Sequence, residues 1–253
     1  MKKKIFLFLS VTLLFFAACK KKESTPGPDI TRVGTIYDDS SHTNTLYYYS
    51  PSRLIKGDYD DSGRFNYAYH YGNSQSVTDV QLNYMPAYTL YYIWNSRSLV
   101  DSSNVLNVNG GIGIRKKYTY DANNFLTGVQ WYNDINTMVL TESFTISNGN
   151  IIQHSYNILD TANSSLPHGT YTYTYYSGEK NTLSNFYFGQ AYLGASSANP
   201  VKSSTYSYGS TTFTTDYTYN YTNGYITSEL VYADSSGVST RRVDSLSYSY
   251  YFW

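Results

Sequence analysis

The sequence predicts an all-β protein: an antiparallel meander forming a curved or barrel-like sheet, with little or no helix in its mature domain. Three observations carry this. Tyrosines recur at a spacing of two, turn dipeptides separate the tyrosine runs at hairpin distances, and no long stretch of the mature chain shows the 3.6-residue helical period. Of 253 residues, 32 are tyrosine. Tyrosine favours strands and buries a large ring while keeping a hydroxyl for water or a partner, so aromatic rings here take the place of a leucine-rich core.

From the start, Lys2, Lys3 and Lys4 precede the run Ile5 to Ala18, which is apolar apart from Ser10 and Thr12. Fourteen residues are too few to span a bilayer, which needs about 20, so residues 1–18 read as a cleaved export signal. Phe16-Ala17-Ala18-Cys19 resembles the lipobox of bacterial lipoproteins, although Leu is commoner where Phe16 stands. The resemblance implies lipidation of Cys19, the only cysteine of the chain, and so a membrane partner reached through a lipid anchor. Residues 19–31 hold Lys20–Lys22 and Pro26-Gly27-Pro28, a composition that suits a tether. A single tyrosine-rich β domain is expected over residues 32–253.

Within that domain, Tyr67/Tyr69/Tyr71, Tyr171/Tyr173/Tyr175 and Tyr217/Tyr219/Tyr221 are the longest alternating runs, with shorter ones at Tyr118/Tyr120, Tyr206/Tyr208 and Tyr248/Tyr250. Alternate residues of a strand share a face, so each run has a tyrosine face and a small polar face. Asp61-Ser62-Gly63, Asn109-Gly110-Gly111, Asn148-Gly149, Ser177-Gly178, Asn223-Gly224 and Ser236-Gly237 supply turn chemistry between runs. Residues Glu179 to Lys202 break the rhythm and read as a long loop with room for a short helical turn.

Tyr192-Leu-Gly194, Asn199-Pro200-Val201-Lys202, Tyr217-Thr-Tyr219-Asn-Tyr221 and Gly224-Tyr225, behind such a signal, resemble a family of Bacteroidota lipoprotein domains of unknown function with a porin-like fold. The first half matches by general pattern only. The resemblance implies a curved or closed antiparallel sheet and carries no activity. It also implies an outer-membrane address, with Lys20–Lys22, in place of an acidic run, favouring the periplasmic side. Asp160-Thr161-Ala162 and Asp244-Ser245-Leu246 look like the O-glycosylation acceptor of that phylum. Thr161, near loop-like Asn163-Ser164-Ser165, is the better candidate, because Ser245 falls in a predicted strand.

A membrane-embedded barrel is disfavoured, although Trp253 gives the chain an aromatic end. Such a barrel needs an aliphatic lipid-facing band with aromatics confined to two girdles. Here one strand face is tyrosine throughout and the other is Ser, Thr and Asn.

Signal cleavage leaves fifteen basic against eighteen acidic residues, a net charge near −3, and no basic stripe. Nucleic acid is therefore not an expected partner. Asp58-x-Asp60-x-Ser62-Gly63 begins like a calcium loop, but Tyr69 stands where the bidentate Glu belongs. His42, His70, His154 and His168 lack ligand spacing, and no nucleophile elbow is present. No metal, cofactor or catalytic residue is expected. The reading is a non-catalytic binding module with glycans as the natural ligand, the alternative being an accessory subunit of an envelope complex. Trp94 with Tyr91 and Tyr92, and Trp131 with Tyr132, are the candidate ligand platforms; the same rings serve equally well as core.

Overall fold

The computed structural model describes residues 30–38, 43–48, 54–60, 65–73, 75–82, 85–107, 112–160, 168–188, 190–235 and 238–252. Apart from Ile30 and Phe252 at the outer ends of the first and last strands, the described residues lie in one compact unit, Thr31–Tyr251.

Sixteen strands are described. They are β1 (Ile30–Asp38), β2 (Thr43–Tyr48), β3 (Ile55–Asp60), β4 (Phe65–Tyr71), β5 (Gln75–Leu82), β6 (Met85–Trp94), β7 (Val100–Asn107) and β8 (Ile112–Tyr120). There follow β9 (Leu126–Tyr132), β10 (Met138–Ser147), β11 (Asn150–Ile158), β12 (Thr170–Tyr175), β13 (Val201–Tyr208), β14 (Thr211–Thr222), β15 (Tyr225–Ser235) and β16 (Val238–Phe252). Consecutive strands pair antiparallel, and β1 neighbours β16, so the meander closes into a barrel. Thr35 of β1 and Ser249 of β16 share a side-chain hydrogen bond across the seam. The first strand starts at Ile30, two residues before the expected domain boundary, because Ile30 and Thr31 already continue its extended backbone.

Alternation sorts the side chains as expected. On β12 and β14, Tyr171, Tyr173, Tyr175, Tyr217, Tyr219 and Tyr221 are half-buried while Thr172, Thr174, Thr218 and Asn220 are exposed. On β16, Tyr248 and Tyr250 are half-buried between exposed Ser247 and Ser249. Tyrosines therefore line the inner wall, and small hydroxyl and amide side chains face out. Asn148-Gly149 and Asn223-Gly224 make the tight β10–β11 and β14–β15 hairpins, with φ of 50° and 74°, and 53° and 80°. Positive φ at both central residues is what a two-residue turn matched to strand twist requires.

Ser177-Gly178 does not make the tight hairpin its composition suggests. The chain instead leaves β12 and returns to β13 after residues 176–200, which form a collar with one 3-10 turn at Ala191–Leu193. This is the expected long loop, ending at Pro200 because Val201 and Lys202 already belong to β13. The collar meets the strands nearly in their order around the barrel. The Tyr176 hydroxyl donates to the Tyr217 carbonyl on β14 at 2.8 Å. Thr182 Oγ1 accepts from the Ile226 amide on β15 at 2.9 Å and bonds the Tyr250 hydroxyl on β16 at 3.2 Å. The Val33 amide of β1 donates to the Tyr187 carbonyl, and Phe188 packs on Leu46, Ile55 and Tyr69 of β2–β4. Tyr192 then meets Tyr71, Tyr92 and Trp94, and the Ala195 amide donates to the Asn124 carbonyl at 2.8 Å. Asn150 and Asn199 close the circuit with two hydrogen bonds.

The core is correspondingly dispersed. Leu46, Ile55 and Tyr69 form one buried cluster, and Val139 with Leu140 a second, backed by Trp131, Tyr156 and Ile158. Tyrosine burial makes an alkaline prediction. Desolvation is the first cause that lifts Tyr120, Tyr156, Tyr221 and Tyr250 to about 12, from a usual value near 10. The fold favours the neutral phenol, so this stability is complete below the unfolded value and is lost as pH rises from about 10 through about 12. A denaturant midpoint that is level below that window should fall within it, together with a cooperative rise in phenolate absorbance. Phenolate forming gradually at the free-tyrosine value, with no loss of fold, would contradict this account.

Candidate functional site

The inner wall carries a ladder of stacked rings made by register. Phe144 of β10 is paired with His154 of β11, His154 with Tyr171 of β12, Tyr171 with Tyr206 of β13, and Tyr206 with Phe213 of β14. Successive centroids lie 4.3, 6.1, 4.9 and 6.2 Å apart. Three of the four steps are stacked, with interplanar angles of 15°, 23° and 22°. Directly opposed aromatic pairs stabilise a sheet by about 0.2–1 kcal/mol each. Phe213 is 41% exposed, so the ladder begins on an accessible ring beside the β13–β14 turn.

A polar group adjoins its other end. His154 Nε2 lies 2.8 Å from Glu142 Oε2, and Trp131 Nε1 donates to Glu142 Oε1. Lys116 Nζ stands 3.5 Å over the Trp131 ring, within the range of a cation–π contact. Burial pulls the Lys116 pKa down, opposed by the field of Glu142. Seven adjacent strands, β8 to β14, thus contribute to one inward-facing row in which Glu142 joins the Lys116–Trp131 pair to the ladder. Such a surface can stack on flat apolar faces and offer hydrogen-bonding groups beside them.

Of the two expected platforms, the structure keeps Trp94 with Tyr92 but turns Tyr91 away from them, and turns Tyr132 away from Trp131. Tyr91 and Tyr92 pair in register with Asn104 and Ser103 and point to opposite faces of β6. Trp94 and Tyr92 sit on the inner face under Tyr192, with the Trp94 and Tyr192 rings 5.8 Å apart. Trp131 likewise faces inward while Tyr132 is on the outer face, where Lys117 Nζ lies 5.8 Å from its ring. The reason is the two-residue strand period, which separates sequence neighbours. Ser245 lies on β16 opposite Leu230, as its strand prediction requires, whereas Cys19 and Thr161 fall outside the described residues. Asp58 belongs to β3 and accepts a hydrogen bond from Asn44 Nδ2 at 3.1 Å; Ser62 and Gly63 fall outside the described residues. No group of three potential metal ligands occurs among the described residues.

Phe144, Phe213, Lys116 and Glu142 were not expected as site residues from the sequence; Tyr171 and Tyr206 figured there only in the tyrosine runs, and His154 only as a histidine without ligand spacing. One signal was available for Lys116. It lies two and four residues before Tyr118 and Tyr120 and so shares their face, unlike Arg115 and Lys117. The collar also borders an open pocket of about 640 Å³, lined by Leu99, Asn124, Lys180, Phe186, Tyr187 and other collar residues. It holds none of the ladder rings.

No protein-family model and no curated protein matches the chain. Among solved structures, it is similar to a porin-like protein from Bacteroides uniformis, with 16% identity and a TM-score of 0.65 over 89% of this chain and 100% of that one. It is also similar to a porin-like protein from Bacteroides vulgatus, with 10% identity and a TM-score of 0.56 over 87% and 99% of the two chains. Likeness at these identities shows a shared porin-like fold, as the resemblance in sequence implied.

Proposed function

We propose that this chain is a non-catalytic envelope lipoprotein, tethered to the outer membrane through Cys19, whose barrel binds a glycan on the aromatic ladder of its inner wall. The ladder is the observation that carries the reading, since a row of half-buried aromatic rings that ends on the exposed Phe213 ring suits contact with the apolar faces of sugar rings. The outward Ser, Thr and Asn side chains support a barrel anchored by lipid over one embedded in lipid, which would need an apolar outer band. The tether lysines favour the periplasmic side, and the porin-like fold of the two Bacteroides proteins is in keeping with an envelope address.

The test is a glycan array probed with the mature chain in detergent, followed by titration with tryptophan fluorescence. Tyr171→Ala and Tyr206→Ala are each expected to weaken binding about tenfold, the equivalent of about 1.4 kcal/mol, near the upper end of one aromatic contact. An empty array, or affinity indifferent to both substitutions, would sink the glycan reading. The accessory-subunit alternative is favoured by one observation. Ile135 in the β9–β10 turn and Leu159 just after β11, whose amide donates to the Val139 carbonyl of β10, are 76% and 46% exposed, large apolar side chains of the kind that partners cover. Co-purification of an envelope protein, lost on Ile135→Asp, is the result that would favour it.

A further inference from the structure

The charges of the inner wall are unequally satisfied. Glu142 accepts from Trp131 and engages His154. Glu229 accepts from the Tyr248 hydroxyl at 2.7 Å and the Tyr219 hydroxyl at 3.4 Å, and Asp58 accepts from Asn44. These donors to Glu142 and Glu229 are thus neutral groups or histidine. Lys116 differs. Its ammonium has the Trp131 face on one side and, among the described residues, neither a hydrogen-bond acceptor nor a carboxylate within ion-pair distance. Ser103, its register partner on β7, is bonded to the Tyr118 hydroxyl at 2.9 Å. An ammonium carries three donors, and half-burial of Lys116 reduces the water that can satisfy them, a cost that an anionic ligand would recover.

We propose that Lys116 receives the acid group of the ligand, and that the barrel takes an acidic oligosaccharide whose sugar rings lie along the ladder toward Phe213. The proposal rests on the reading of the ladder as a glycan surface. It explains why a cation sits beside Glu142, whose two oxygens are already engaged by Trp131 and His154. Both a uronate and a sulfated sugar have the required chemistry.

The experiment compares oligogalacturonate with its neutral methyl ester, and a sulfated oligosaccharide with its desulfated form, on the full mature chain. Wild type should prefer the acidic member of at least one pair by tenfold or more, and the preference should shrink as salt rises. Lys116→Met should bind both members of that pair equally, at the level of the neutral one, while Lys116→Arg keeps the preference. Because removing an unpaired half-buried charge relieves a desolvation cost, Lys116→Met should melt no lower than wild type. Binding of a neutral glycan that is lost in Tyr171→Ala but indifferent to Lys116→Met overturns this proposal alone. Binding of no glycan at all, acidic or neutral, overturns it together with the glycan reading.

Discussion

Replacing Tyr192 by alanine is expected to destabilise the protein by about 3–5 kcal/mol, the usual loss when a large buried aromatic side chain is deleted. Tyr192 is 5% exposed and is the point where the collar enters the aromatic wall. Its ring lies 6.0 Å from Tyr71, 6.1 Å from Tyr92 and 5.8 Å from Trp94. Burial also drives its hydroxyl well above the usual tyrosine range, so the native collar holds it as the neutral phenol. Deletion leaves a void bounded by β4 and β6 that their paired backbones cannot close. Water reaching Trp94 Nε1, which is buried and has no hydrogen-bond partner among the described residues, offsets part of the loss. Denaturant unfolding is the measurement, with Tyr192→Phe as the comparison that keeps the ring. A loss below about 1 kcal/mol would mean that the collar is not integral to the fold.

Gly194→Ala should be nearly as damaging, by about 3 kcal/mol or more, for a backbone reason. Gly194 has φ 98° and ψ −176°, a region essentially restricted to glycine. A β-carbon there would lie 2.7 Å from the Asn124 carbonyl oxygen and 2.7 Å from Tyr120 Cε1. The tyrosine ring has some freedom to move, but the carbonyl does not, because it accepts the Ala195 amide. Gly178→Ala is the internal control. Gly178 also has positive φ, at 82°, but nothing within 4 Å of an added β-carbon, so it should cost only about 1 kcal/mol of strain. Hydrogen exchange should show residues 176–200 losing protection in Gly194→Ala and keeping most of it in Gly178→Ala. Equal behaviour of the two would assign the effect to backbone strain alone and refute the steric account.

Strand alternation, the two Asn-Gly hairpins and the loop that became the collar were legible along the chain, because each depends on residues close in sequence. The split of Tyr91 from Tyr92, and of Trp131 from Tyr132, was legible too. Applying the two-residue period to those pairs, as to the tyrosine runs, puts one ring of each on the outside. The ladder was not legible. Which ring faces which depends on register, and a one-residue slip would turn the whole of β13 over. Tyr206 meets both Tyr171 and Phe213 only because of the register with β12 and β14.

By itself, then, the sequence determined that this chain alternates tyrosine with small polar residues in an antiparallel meander. Local periodicity and turn chemistry need no distant partner. Closure was decided only in three dimensions, because an open sheet and a barrel have the same alternation and differ in whether β1 finds β16 across the length of the domain. That closure also sets which strand face is interior. It places the tyrosines on the inner face, where long-range register alone brings the rings of the ladder together.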